Sequence, residues 1–155
     1  VAGINSTAGI GTDVEPTGGI IIAGIISGGS VYGNFVNDVK NTSAGGWPAY
    51  GISLQSTSAN ANFKLYNNFI HSILAYGNAT LPGQNGIGIA LINGGGYGIY
   101  FNSVNLFTAQ TNASAPSTAI FIGAGITGTA SVDIRNNIFS CRRTAGINYA
   151  IYCSF

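Results

Sequence analysis

The residues able to do acid–base, nucleophilic or metal chemistry are few: four acids (Asp13, Glu15, Asp38, Asp133), one histidine (His71) and two cysteines (Cys141, Cys153). Glycoside hydrolysis needs two carboxylates converging on one bond. Calcium-assisted elimination needs an acid cluster for the ion and a base beside the abstracted proton. Neither pattern is present. Asp13 and Glu15 stand near the N-terminus, and Asp38 and Asp133 are far apart. His71 has no nucleophile or orienting acid spaced to meet it, so it reads as structural or exposed. The cysteines lack metal-ligand spacing and read as two buried thiols, with a disulfide between neighbouring coils as the alternative. No catalytic residue, metal ligand or cofactor site is assigned, and an enzyme is not expected.

The five basic residues are Lys40, Lys64, Arg135, Arg142 and Arg143, giving a net charge of +1. That balance offers no electrostatic attraction to nucleic acid or an anionic membrane. The Arg142–Arg143 pair reads as a solvated turn. Asp133 and Arg135 read as two solvated charges, or a surface pair across one strand face. Charged residues make up only 6% of the chain, against roughly 25% in an average soluble domain. Such a chain must hide its apolar residues well, belong to something larger, or assemble. The most apolar run, Ile20 to Ile26, is broken by Ala23 and Gly24 and falls far short of the roughly 20 residues that span a bilayer. Membrane insertion is therefore not expected. The sequence has no initiating Met and reads as a mature or trimmed piece.

Two further motifs have plain explanations. The glycine runs Gly28–Gly29 and Gly94–Gly96 lack the lysine and following helix of a phosphate loop, so they read as turns. Four N-x-[ST] sequons begin at Asn5, Asn41, Asn78 and Asn112, as chance allows in a chain rich in Asn, Ser and Thr.

The elements that would position these residues repeat. VYGNFVNDV (31–39), LYNNFIHSI (65–73), IYFNSVNLF (99–107) and DIRNNIFSC (133–141) align with an Asn in the fourth place: Asn34, Asn68, Asn102 and Asn136. Two places earlier stand Tyr32, Tyr66, Tyr100 and Ile134; two later stand Val36, Ile70, Val104 and Ile138; five later stand Val39, Ile73, Phe107 and Cys141. Alternation on an extended strand puts the first two of these columns on the Asn's face. A second strand precedes each segment, with alternating pairs Ile20/Ile22, Ile52/Leu54, Ile87/Ile89, Ile120/Ile122 and Ile151/Cys153. Between them run variable loops rich in Gly, Ser, Thr, Asn and Pro.

An apolar period of two, β-branched and aromatic enrichment and abundant Gly exclude a helical repeat. A constant interval of roughly 34 residues predicts an all-β right-handed parallel β-helix of about four coils. In such a fold like stacks on like at about 4.8 Å. An inward Asn column would pass amide hydrogen bonds from coil to coil, satisfying polar groups at a buried turn. The chain reads as one domain over 1–155, with repeats over 19–155 and residues 1–18 as an irregular stretch or partial coil.

NNIFS (136–140), IYFNSV (99–104) and YNNFIHSI (66–73) resemble repeats of the pectin-lyase-like superfamily of right-handed parallel β-helices. More narrowly, they resemble the Gly-, Asn- and Tyr-rich coils of very large bacterial secreted and surface proteins. The resemblance implies a secreted or cell-surface location and a structural or adhesive role. The expected partners are copies of the chain stacked end to end into a filament, or adjoining coils of a longer protein. The alternative is a carbohydrate-binding or carbohydrate-degrading module, with loop aromatics Trp47, Tyr50 and Tyr76 contacting an extracellular polysaccharide. A flat Thr ladder of the ice-binding kind is absent from the sequence.

Overall fold

A computed structural model describes residues 5–6, 16–45, 47–128 and 131–155. It is a parallel β-solenoid of about four turns. The short strand β1 (Asn5–Ser6) precedes the coils. The first coil holds β2 (Thr17–Gly24), β3 (Gly29–Tyr32) and β4 (Phe35–Asn41), and the second holds β5 (Ala49–Ser56), β6 (Phe63–Tyr66) and β7 (Phe69–Ala75). The third holds β8 (Gly86–Gly94), β9 (Tyr97–Tyr100) and β10 (Ser103–Leu106). The fourth holds β11 (Ser117–Ile126), β12 (Val132–Arg135) and β13 (Ile138–Cys141), and β14 (Asn148–Cys153) follows. Stacking makes three parallel sheets, in the orders β1-β4-β7-β10-β13, β14-β11-β8-β5-β2 and β12-β9-β6-β3. Of the stretch 1–18, residues 1–4 and 7–15 lie outside the described residues, while Asn5 and Ser6 pair with Lys40 and Asn41.

The interior is aliphatic. Ile52, Leu54, Leu65, Ile70, Ile73, Ile89, Leu91, Ile99, Leu106 and Ile120 are wholly buried, each contributing about 1.5–3 kcal/mol relative to exposure. These side chains come from three sheets, so a coil reaches this burial only with neighbours above and below.

The register departs from the sequence alignment in three places. In the second sheet Ile52 pairs with Ile89 and Leu54 with Leu91, so the third inward pair is Ile89/Leu91 rather than Ile87/Ile89. Ile87 packs with Tyr50, Ala90 and Phe121 in a small second cluster. In β4 and β7 an extra residue bulges out: Asp38 and Ser72 sit at φ 57° and 56°, so the buried pairs Val36/Val39 and Ile70/Ile73 are three apart. β10 lacks the bulge. There Leu106, not Phe107, is buried, and it pairs with Cys141. In the fourth coil the frame slips by one: Phe139 pairs with Val104, Ile138 points outward, and Arg135 rather than Ile134 lies beside Tyr100. A hydrophobic column tolerates such slips because any aliphatic residue fills it.

Candidate functional site: the amide ladder, the outer aromatics and the loops

Between the third-sheet strand and the first-sheet strand of each coil the chain turns a corner. One residue there adopts the left-handed conformation: Gly33 (φ 67°), Asn67 (53°), Phe101 (53°) and Asn136 (55°). Gly and Asn suit that conformation, and Phe101 holds it with some strain. The next residue is the rung. Asn34 donates its backbone N–H and its Nδ2–H to Oδ1 of Asn68 at 3.1 and 3.0 Å. Asn68 does the same to Asn102 at 3.1 and 2.9 Å, and Asn102 to Asn137 at 2.8 and 3.0 Å. The spacings are 34, 34 and 35 residues. The fourth rung is thus Asn137. Asn136, the rung expected from the alignment, is the exposed left-handed residue before it. The last three amides also donate to the carbonyl of an inward residue one coil back, Asn68 to Val31, Asn102 to Leu65 and Asn137 to Ile99, while Asn34 donates to the Tyr32 carbonyl. Asn68 and Asn102 are buried, where such groups would be costly if unpaired.

The tyrosines do not share this inward face. The left-handed corner residue breaks the strand alternation, and Tyr32 is 59% exposed. Tyr32 and Tyr66 stack outside the coil, with ring centroids 4.7 Å apart and planes within 2°. Tyr100 instead lies across Gly98, where a Cβ would come within 2.6 Å of its ring. Its hydroxyl donates to Asp133 Oδ2 at 3.0 Å. A second aromatic stripe runs along the first sheet. Phe35 (51% exposed) and Phe69 (41%) stack at 5.5 Å, and His71 touches both and stacks on Phe107 at 6.0 Å.

The described acids are each held by a base of their own strand. Asp38 pairs with Lys40 at 2.5 Å and Asp133 with Arg135 at 2.7 Å. The Arg135 hydrogen bond holds the Asp133 carboxyl below its usual range, and the Tyr100 hydroxyl adds to this. Asp13 and Glu15 lie outside the described residues. Among the described residues no three of His, Cys, Asp and Glu gather to hold a metal.

The loops between β4 and β5, β7 and β8, β10 and β11, and β13 and β14 are each pinned by a different amide, which sequence reasoning missed. Asn41 holds Ser43 N–H and reaches the Pro48 carbonyl. Asn85 binds Asn78 at both backbone groups and the carbonyls of Leu81 and Pro82. Gln110 accepts from Gly86 N–H and donates to the carbonyls of Ala115 and Pro116. Asn148 closes the last loop on Arg143 N–H and C=O. The sequons have a structural use here. Asn41, Asn78 and Asn112 each accept from the N–H two residues on, at 3.1, 3.0 and 3.1 Å. These are Asx turns that start a loop, in which the Asn is tied to its own backbone.

Of the three loop aromatics expected to touch a glycan, Tyr50 is buried. Its hydroxyl reaches the Gly83 carbonyl at 3.4 Å, and burial pushes its pKa up to about 12. Trp47 and Tyr76 are half-buried on successive loops. Neither cysteine is fully buried and no disulfide forms: Cys141 is half-buried and Cys153 exposed, both free. They belong to the last strands of their sheets, where no further coil covers them. The Arg142–Arg143 turn is not solvated throughout, because Arg143 is buried. Another polar core residue, Tyr97, accepts from Ser56 N–H at 3.1 Å and donates to the Asn93 carbonyl at 2.7 Å. No protein family matches the sequence, and neither a curated protein nor a solved structure is significantly similar to it.

Proposed function

We propose that the chain is a segment of an extracellular structural or adhesive β-solenoid, either within a longer surface protein or stacked end to end with its own copies. The observation that carries this reading is the one-way ladder. Each of the first three rungs, Asn34, Asn68 and Asn102, donates twice to the Oδ1 of the rung in the next coil. A lock built this way is indifferent to how many coils precede or follow it, so length is added by repetition. The same chemistry serves a coil of the same chain or of another. Outer stacks such as Tyr32–Tyr66 stiffen the wall in the same direction. The repeats' similarity to those of pectin-lyase-like bacterial surface proteins supports a place outside the cell and a bacterial source.

Negative-stain electron microscopy of the purified chain over a concentration series tests the proposal. Four coils span about 20 Å. Particles that lengthen with concentration at constant width are the expected result. Single short rods at every concentration, together with binding to one member of a polysaccharide panel, would overturn it in favour of a carbohydrate-binding module.

A further inference from the structure

Arg143 follows β13 in an outer turn, yet only 5% of it is exposed. Its side chain runs back along the solenoid axis, and Nη2 donates to the carbonyl of Ile73, two coils away, at 2.5 Å. Nε and Nη1 are shut off from solvent and have no partner among the described residues. The path exists because position 86 is glycine: a Cβ there would lie 2.6 Å from Nη2 and 2.8 Å from the Ile73 oxygen. One coil further on, Ser117 occupies the same inward column, since Thr118 pairs with Ile87. Its hydroxyl is likewise buried without a partner.

Among the described residues no carboxylate pairs with the charge at this corner. Burial pushes the guanidinium down to about 10, so it remains protonated at neutral pH. The two described acids are engaged with Lys40 and Arg135. The one hydrogen-bond acceptor of the Arg143 guanidinium among the described residues is a neutral carbonyl. A buried cation without a counter-charge is strongly unfavourable.

We propose that this corner binds a small monovalent anion of the chloride class, held by Arg143 with the Ser117 hydroxyl as an additional donor. Water could satisfy the donors but not the charge. Nε–H and Nη1 face opposite edges of the guanidinium, so one anion meets one edge. Arg143 and Ser117 are both almost wholly shielded from solvent, so the corner favours a small ion over gluconate. Chloride at ten times its dissociation constant multiplies the folding constant by about 11, a rise in unfolding midpoint of about 4 °C.

The test is thermal unfolding in sodium chloride, sodium bromide and sodium gluconate at equal ionic strength, for the native chain and for Arg143→Met. The expected result is a higher midpoint in chloride and bromide than in gluconate for the native chain, and no halide dependence in the variant. Equal midpoints in all three salts for the native chain, or a halide effect that survives Arg143→Met, would overturn the proposal. Should Arg143→Met fail to fold, bromide-soaked crystals of the native chain decide. An anomalous peak beside Arg143 supports the site, and its absence there overturns it.

Discussion

The two polar borders of this solenoid solve one problem in opposite ways. At the corner between the third and first sheets, a single residue type repeats, and each amide satisfies its neighbour in the next coil. On the loop side, Asn41, Asn85, Gln110 and Asn148 each satisfy a private set of backbone groups, nearly all within their own loop. The first border couples coils through one repeated residue type. The second ties each loop mainly to itself, with only scattered bonds between successive loops such as Gln110 to Gly86 and Asn112 to Gly77, so loop length and sequence can vary more. On the proposed reading, growth along the axis would depend on the first border and surface variety on the second.

The difference is broken most sharply by Asn102→Ala. It removes the acceptor of two Asn68 donors and the donor to the Leu65 carbonyl, all in buried surroundings. A loss of about 3 kcal/mol is expected in urea unfolding, spread over the whole transition because two coils are uncoupled. Asn85→Ala should cost about 2 kcal/mol or less, and its mark should be local. Hydrogen exchange should speed up at the amides of 78–85 while those of β7 and β8 stay protected. If Asn85→Ala instead loosens neighbouring coils as much as Asn102→Ala, the two borders do not differ as described.

Tyr50→Phe probes the packed layer beneath the loops. At neutral pH it removes one long hydrogen bond and should cost under about 1 kcal/mol. At alkaline pH the sign changes. Burial raises the phenol to about 12 in the fold from an ordinary value of 10.0, so its neutral form stabilises the fold fully below 10, and that contribution is lost as pH rises through 12. Native stability relative to Tyr50→Phe should therefore fall between pH 10 and 12, measured as the difference in urea midpoint. The smallest effect belongs to Lys40→Ala. Its pair with Asp38 is partly exposed at both ends, and its removal should change stability by about 0.5 kcal/mol or less, vanishing at high salt.

Much of the fold was legible in the sequence because the apolar period of two and the recurring Asn are local signals repeated several times. Asn34, Asn68 and Asn102 needed no structure to be aligned. Asn136 and Asn137 could not be told apart, since two adjacent asparagines fit the same motif and only backbone conformation separates the turn from the rung. The outward swing of Tyr32 and Tyr66 was hidden for the same reason: alternation fails at a residue of positive φ, and Gly33, Asn67 and Phe101 share no residue type that announces it. The third-coil strand β10 lacks the bulge that Asp38 and Ser72 make in β4 and β7, so its inward residue is Leu106 rather than Phe107. The loop amides bind irregular loop backbone, and the burial of Tyr50 and Arg143 depends on contacts between coils; no local pattern encodes either.

Replacing each adjacent asparagine with glycine tests the ladder most directly. Asn136 already holds a left-handed conformation, so Asn136→Gly should leave stability unchanged or slightly raised. Asn137→Gly removes the Oδ1 that accepts two bonds from Asn102 and the Nδ2 that binds the Ile99 carbonyl, and should cost about 2 kcal/mol in urea unfolding. A loss at 136 with none at 137 would contradict a ladder that runs from Asn34 through Asn68 and Asn102 to Asn137.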